Sequence, residues 1–323
     1  MNGPVPAISV FTSFDGAPLR WATWPADGPA DGPADGPADG RTDRGRPLIL
    51  LPGRSEFIEK YQEVAGDLTA AGWTVHALDW RGQGLSHRPT ANPQALWVDD
   101  FATHVRDLLA WMDAVVGDPS TVGPVPVLAH SMGGCLAILA LAEAPQRFSH
   151  AVMTAPMLAI LPHRPNRLIR WLARRKNAQG QGHRYAWGQR DFHRMDRLFL
   201  LNTLTSDRRR FAVQTDRFAA DSAYRVGGAT WGWLDAAYRA MADATAALPR
   251  LTRPVTILVG GGDRLVDNRP ARAAARFDHI TVLRFPKGRH ELLMERDEIR
   301  QKVMADILDL LAGTAHPPLS SSH

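Results

Sequence analysis

Residues 124–135 read Pro-Val-Pro-Val-Leu-Ala-His-Ser-Met-Gly-Gly-Cys. A β-branched apolar run ends on Ser131 and gives way to small residues and then to a helix-forming stretch. This is how a strand turns sharply into a helix with a serine hydroxyl at the apex, the arrangement called a nucleophile elbow. The usual pattern is Gly-x-Ser-x-Gly, and Ala129 stands where the first glycine would be. That glycine is needed mainly for its lack of bulk, so one extra methyl is tolerable, and Gly133 and Gly134 keep the far side of the turn clear. A serine that merely caps a helix would account for the hydroxyl, but not for the strand before it or the paired glycines after it.

An alcohol becomes a nucleophile when an imidazole takes its proton and a carboxylate orients that imidazole. Two segments offer these groups, each directly after an apolar run. Val-Thr-Ile-Leu-Val-Gly-Gly-Gly-Asp ends on Asp263, and Ile-Thr-Val-Leu-Arg-Phe-Pro-Lys-Gly-Arg-His ends on His290. Asp267 is the alternative acid, but its position suits a helix cap better. Among the other histidines, His130 is inside the elbow and His76 within a strand. His163, His183 and His193 fall in a helical region where they could at most line a pocket, and His316 and His323 lie in a polar tail. The oxyanion of acyl transfer needs two backbone N–H donors. Met132, directly after the serine, offers one; Arg54, in Leu-Pro-Gly-Arg-Ser-Glu-Phe-Ile-Glu-Lys-Tyr after another apolar run, offers the second, with Gly53 allowing close approach. The Arg54 side chain either reaches the pocket mouth or faces solvent. No Cys/His cluster has metal-ligand spacing, so neither a metal nor a cofactor is expected.

Six apolar runs bounded by turn residues would carry these groups: 47–53, 73–79, 125–131, 150–156, 255–263 and 280–286. Continuous runs of this kind suit strands buried on both faces of a parallel sheet. Helix-period segments such as 57–71 and 101–116 alternate with them, which implies a doubly wound α/β architecture. Upstream, Ile-Ser-Val-Phe-Thr-Ser, a Phe-Asp-Gly-Ala-Pro turn and Leu-Arg-Trp-Ala-Thr-Trp read as an antiparallel hairpin. Residues 25–40 are four copies of Pro-Ala-Asp-Gly, a surface loop joining two strands at the sheet edge. Residues 157–247 are too long for a loop in a compact domain and read as a folded helical cap. The expected organisation is a core of 1–156 and 248–313, a cap of 157–247 and a disordered tail of 314–323.

The chain has 323 residues, 45% hydrophobic and 22% charged, the composition of a globular protein with a full core. A single cysteine, Cys135, excludes an internal disulfide and suits a reducing, cytoplasmic setting. The N-terminal Met-Asn-Gly-Pro-Val-Pro lacks the basic and apolar regions of a secretory leader, and no apolar run is long enough for a membrane span. Thirteen Lys/Arg against three Asp lie between Arg164 and Arg210, so the rest of the chain carries about −5 of the net +5. This concentrates the basicity in the cap and points to an anionic membrane surface or phosphate headgroup, or else to a solvated face. No aromatic-basic motif supports nucleic-acid binding.

With these motifs in hand, the sequence resembles the α/β-hydrolase superfamily, within it the bacterial lysophospholipase branch related to monoacylglycerol lipases. The matching stretches are Leu-Pro-Gly-Arg-Ser-Glu-Phe-Ile-Glu-Lys-Tyr, Leu-Asp-Trp-Arg-Gly-Gln-Gly-Leu-Ser (78–86), Ala-His-Ser-Met-Gly-Gly, Ala-Pro-Met (155–157), Leu-Thr-Ser-Asp (204–207), Thr-Trp-Gly-Trp (230–233) and the segments around Asp263 and His290. The resemblance implies an eight-stranded, mostly parallel sheet with an N-terminal antiparallel hairpin, helices on both faces and a helical cap. It implies hydrolysis of a small-molecule or lipid ester by Ser131, His290 and Asp263. General carboxylesterase, thioesterase and acyltransferase chemistry would use the same three residues, and a non-catalytic binding protein on this fold is the reading from another class. Asp79 and Arg81 are expected to form a structural ion pair. Glu56 and Glu59 should favour the dipole of a helix start and support the oxyanion loop. Trp171, Phe192, Trp231 and Trp233 are the candidate substrate contacts. With Leu168, Ile169, Leu172, Leu198 and Phe199, the cap aromatics could wall an acyl tunnel or simply seal the cap onto the core.

Overall fold

A computed structural model describes residues 5–27, 45–161 and 167–313. Most of the Pro-Ala-Asp-Gly repeat, the tail from 314 to 323, and His163 and Arg164 lie outside the described residues. The apolar runs become strands: β1 Ala7–Thr12, β2 Pro18–Trp24, β3 Arg46–Leu51, β4 Trp73–Leu78, β5 Val125–His130, β6 Phe148–Thr154, β7 Val255–Gly260 and β8 Ile280–Phe285. They form one sheet in the order β1-β2-β4-β3-β5-β6-β7-β8. The hairpin β1–β2 is antiparallel and its β2 pairs antiparallel with β4, while β3 to β8 pair in parallel among themselves.

The helices are α1 Gln62–Ala70, α2 Phe101–Val115, the single turn α3 Pro119–Val122, α4 Met132–Glu143, α5 Arg167–Lys176, α6 Arg208–Ala220, α7 Trp231–Ala247, α8 Arg269–Ala273 and α9 Asp297–Leu311. Strand alternation divides the core into two layers. Leu48 and Leu50 of β3 face the layer packed by α1 and α9, while Ile49 and Leu51 face that of α2, α4 and α7. Polar side chains start several helices by taking up orphan N–H groups. Asp100 accepts from Ala102 N, Asp207 from Arg210 N and Thr230 from Trp233 N.

One expectation is revised. The repeat-bearing segment joins β2 to β3, which are not the edge of the sheet: β1 forms that edge, and β4 lies between β2 and β3 and pairs with both. The C-terminal part of the expected cap reaches into the main core. Trp233, Ala236, Ala237, Ala240, Met241, Ala244 and Ala247 of α7 are buried in the main core beside α4. Small residues at helical spacing let α7 lie close against α4, while α5 packs on it from the other side.

Candidate active site

Ser131 lies between β5 and α4 with φ 51° and ψ −113°, the left-handed backbone that an elbow imposes on a non-glycine residue. The turn is held by Ser131 N donating to Thr154 O at 3.0 Å and by Met157 N donating to Ser131 O at 2.9 Å. A Cβ on Gly133 would sit 2.5 Å from Leu51 O, so the first turn of α4 needs glycine to pass β3. Ala129 is fully buried between Leu51 of β3 and Met153 of β6. Its methyl fits and a larger side chain has no free space. Ala129→Gly should therefore keep activity within about threefold, while Ala129→Val should cost about 1–3 kcal/mol of stability in urea unfolding. A valine variant as stable as the parent would show that the elbow is loosely packed.

The loops after β7 and β8 bring the other two groups to the serine. His290 Nε2 is 2.9 Å from Ser131 Oγ and His290 Nδ1 is 2.8 Å from Asp263 Oδ2. Asp263 Oδ1 accepts from Leu265 N at 2.8 Å and Val266 N at 3.0 Å. Burial pushes the Asp263 carboxyl up, but His290 and these backbone donors outweigh it and hold the group below its usual range. A Cβ on Gly260 would collide with Arg289 O, so the two loops meet backbone to backbone. Asp267 turns to Arg269, accepting from its backbone N at 2.9 Å and pairing with its guanidinium at 2.8 Å.

The Arg54 loop is fixed from the 78–86 turn. Trp80 Nε1 donates to Pro52 O at 2.8 Å, Gln83 Nε2 to Gly53 O at 2.7 Å, and Ser55 N to Gln83 Oε1 at 3.1 Å. Glu56 supports this loop by accepting from Gly53 N. Glu59 does not: it pairs with Arg20 and accepts from Tyr224 at 2.6 Å. Asp79 and Arg81 do not pair with each other. Asp79 meets Arg20 at 3.1 Å and accepts from Ile58 N at 2.9 Å, whereas Arg81 clamps Asp15 of the hairpin turn and Asp107 of α2, each at 2.7 Å. Both are structural, but they brace different parts of the molecule.

Under the site lies a buried charged cluster. Lys60 Nζ reaches Glu56 at 2.7 Å, Glu291 at 2.6 Å and Gln214 of α6 at 2.9 Å, and Tyr61 donates to Glu56 at 2.6 Å. Burial raises the Glu56 carboxyl, but Lys60 and its other partners outweigh that and hold it at about 2. Burial and the Glu56 charge push Glu291 up. Glu56, His130 and Glu291 offer ligand atoms within 4.8 Å of one another, a spacing one cation could bridge, and the Lys60 ammonium already occupies that electrostatic role. Burial lowers His130 to about 4, so its ring is neutral, with Nδ1 2.9 Å from Thr154 Oγ1.

Ser131 and His290 open into a cavity of ≈ 370 Å³ with a polar floor of Ser55, Glu56, His130 and Glu291 and apolar walls that include Met157, Ile160, Leu204 and Leu265. Of the four candidate aromatic contacts only Trp233 lines it. Phe192 packs on Phe218, Trp231 on Ala173, Ala186 and Trp187, and Trp171 stands on the outer face, 53% exposed. Leu168, Ile169, Leu172, Leu198, Phe199, His183 and His193 do not line it either. The walls come instead from 157–161 and 204, which fall within the stretch read as the cap but were not singled out there, and from 265–266 after β7.

The sheet order, the serine elbow after β5 and the loops after β7 and β8 define an α/β-hydrolase. The chain belongs to the Hydrolase_4 family, described as serine aminopeptidase, S33, whose model matches residues 44–297. It is similar to lysophospholipase L2 of Escherichia coli (strain K12), 29% identical over 314 residues that cover 93% of this chain and 85% of the relative. It is also similar to the monoglyceride lipase of Mus musculus, 28% identical over 281 residues covering 82% and 84%. Among solved structures, a soluble variant of monoglyceride lipase from Saccharomyces cerevisiae in complex with a substrate analogue shares the fold, with a TM-score of 0.73 at 19% identity over 98% and 97% of the two chains.

Proposed function

We propose that this protein is a serine hydrolase that cleaves carboxylic esters of lipid-like substrates, lysophospholipids or monoacylglycerols, through an acyl-enzyme. The observation that carries this reading is the unbroken relay from Asp263 through His290 to Ser131 at hydrogen-bond distances. Ser131 Oγ attacks the ester carbonyl while His290 Nε2 takes its proton, and Asp263 holds the imidazole and offsets its charge. The N–H groups of Arg54 and Met132 receive the oxyanion. His290 then protonates the leaving alcohol and activates the water that releases the fatty acid. The apolar walls above a polar floor suit an acyl chain attached to a hydrophilic alcohol. The cap over this cavity is assigned to 157–230, with α7 counted in the core.

We also propose that the cap meets anionic lipid surfaces through α5. Leu168, Ile169 and Trp171 are 64%, 40% and 53% exposed there, interleaved with exposed Arg167, Arg170, Arg174 and Arg175. Among the described residues no helix is long and apolar enough to cross a membrane, so contact of this kind is peripheral.

The test is fatty-acid release from a 1-acylglycerol, a lysophospholipid and a short soluble ester by one preparation. Release from none of them would end the hydrolase reading, and acyl transfer to an added alcohol without free acid would replace it by a transferase. In the same assay, Arg174→Glu with Arg175→Glu should raise the apparent KM on anionic vesicles several-fold more than on the soluble ester. That difference should shrink in high salt, because exposed charges are screened beyond about 8–10 Å at physiological ionic strength. An equal response of both substrates would leave α5 as a solvated face.

A further inference from the structure

The cavity that holds Ser131 also contains polar groups that the proposed reaction does not use. Arg54 Nε, Ser55 Oγ and Trp233 Nε1 are sealed from solvent and meet no hydrogen-bond partner among the described residues, and all three residues line this cavity. Buried polar groups are almost always satisfied, so three unsatisfied donors around one space call for an acceptor.

The charge balance says what kind of acceptor. The buried guanidinium groups of Arg20, Arg81, Arg210 and Arg300 each meet a carboxylate. Among the described residues Arg54 meets none: its Nη2 donates to the carbonyl of Gly227 at 2.8 Å and its guanidinium lies 5.0 Å from the Trp233 ring centroid. Burial without a carboxylate partner lowers it to about 10, which leaves it cationic at neutral pH. The acidic floor does not pair with it: Glu56 and Glu291 both bond Lys60, and Tyr61 and Gly53 N complete Glu56. A cation flanked by a hydroxyl and an indole N–H suits a compact anion with several oxygens. The exposed arginines of α5 do not line this cavity and cannot supply the same contact.

We propose that the side chains of Arg54, Ser55 and Trp233 form a binding subsite for a phosphate group, filled by the phosphodiester of a lysophospholipid headgroup, and so set substrate preference. This rests on the ester-hydrolase reading above. Arg54 then serves twice, its backbone N–H toward the oxyanion and its guanidinium toward the headgroup, which fixes the glycerol linker between them.

The test compares kcat/KM for 1-acyl lysophosphatidylglycerol and a 1-acylglycerol of the same chain in full-length wild type, Arg54→Met and Trp233→Phe. The quantity read is the ratio of the two values, so a general loss of catalysis cancels. Arg54→Met should lower the ratio about 10- to 100-fold, the range for losing a hydrogen bond to a charged group. Trp233→Phe keeps the ring and removes one donor, and should lower it about 3- to 10-fold; it also stands in if Arg54→Met fails to fold. A ratio that stays within twofold in the folded variants overturns the subsite while wild-type hydrolysis upholds the enzyme. A wild type that releases no fatty acid from either lipid overturns both. Titrating Ser131→Ala with inorganic phosphate separates the sources: Arg54-dependent phosphate binding with an unchanged ratio would assign the site to free phosphate and overturn the headgroup.

Discussion

Ser131→Ala is expected to lower kcat for ester hydrolysis by about 10⁴- to 10⁶-fold, since members of a serine relay act as a unit and losing the nucleophile removes nearly all of its effect. The residual rate reflects the oxyanion donors and binding alone. The fold should survive, because Ser131 is anchored through its backbone to Thr154 and Met157 and, among the described residues, its side chain hydrogen-bonds only to His290. Asp263→Asn should cost about 10⁴-fold in kcat by leaving the imidazole in the wrong tautomer. Asp267→Asn should change little, as Asp267 holds Arg269 rather than His290. A fluorophosphonate probe should label wild type and not Ser131→Ala. Full activity in Ser131→Ala would end the mechanism, and a dead Asp267→Asn beside an active Asp263→Asn would reassign the acid.

The largest effect on stability is expected from Lys60→Met. Removing the ammonium leaves Glu56 and Glu291 buried without a counter-charge, a loss of about 3–5 kcal/mol. The sign of the pH dependence follows from the carboxyls. In wild type Glu56 is held at about 2, below an unfolded value of about 4.3. Its contribution is therefore present above that value and fades as pH falls through about 2. Without Lys60, burial outweighs the hydrogen bonds that Tyr61 and Gly53 N still give Glu56 and raises both carboxyls, so their ionisation opposes folding as pH rises. The deficit of Lys60→Met should thus be greatest near neutrality and shrink towards pH 4.5, as measured by urea unfolding at both values. Adding Glu56→Gln and Glu291→Gln should recover part of it. A deficit under about 1 kcal/mol, or one independent of pH, would show that the cluster is hydrated.

The parts of the molecule legible in the sequence are those decided locally. The inner strands of the parallel sheet are buried on both faces and so appear as continuous apolar runs, and β8 at the edge, though only partly buried, keeps the same apolar character. Asp263 and His290 stand out because each closes such a run. The Lys60 cluster was not legible: Lys60 and Glu291 are 231 positions apart, and Glu56 to Lys60 alone looks like an ordinary helical pair. Asp79 and Arg81 were adjacent enough to suggest each other, yet the fold offers Arg20 to one and Asp15 and Asp107 to the other. The cap aromatics failed for a related reason. Trp171, Phe192 and Trp231 have the composition of a substrate wall, but only tertiary packing decides whether a ring faces a cavity, a neighbouring helix or solvent.

The two ends of the helical insertion differ in how they are tied down. Residues 204–215 are bonded to the histidine loop and its surroundings: Leu204 O accepts from Glu291 N at 2.9 Å, Thr205 Oγ1 donates to Met294 O at 2.6 Å, and Arg210 pairs with Glu63 and Asp297 at 2.7 and 2.6 Å. No residue from 167 to 201 lines the cavity of Ser131. For the descent of such a protein, this splits the insertion into a conservative inner collar and an outer sleeve. A change in the collar would disturb the loop that carries His290. The sleeve is free to vary in charge and apolar exposure, so new surfaces for substrate delivery can arise there without the reaction being rebuilt.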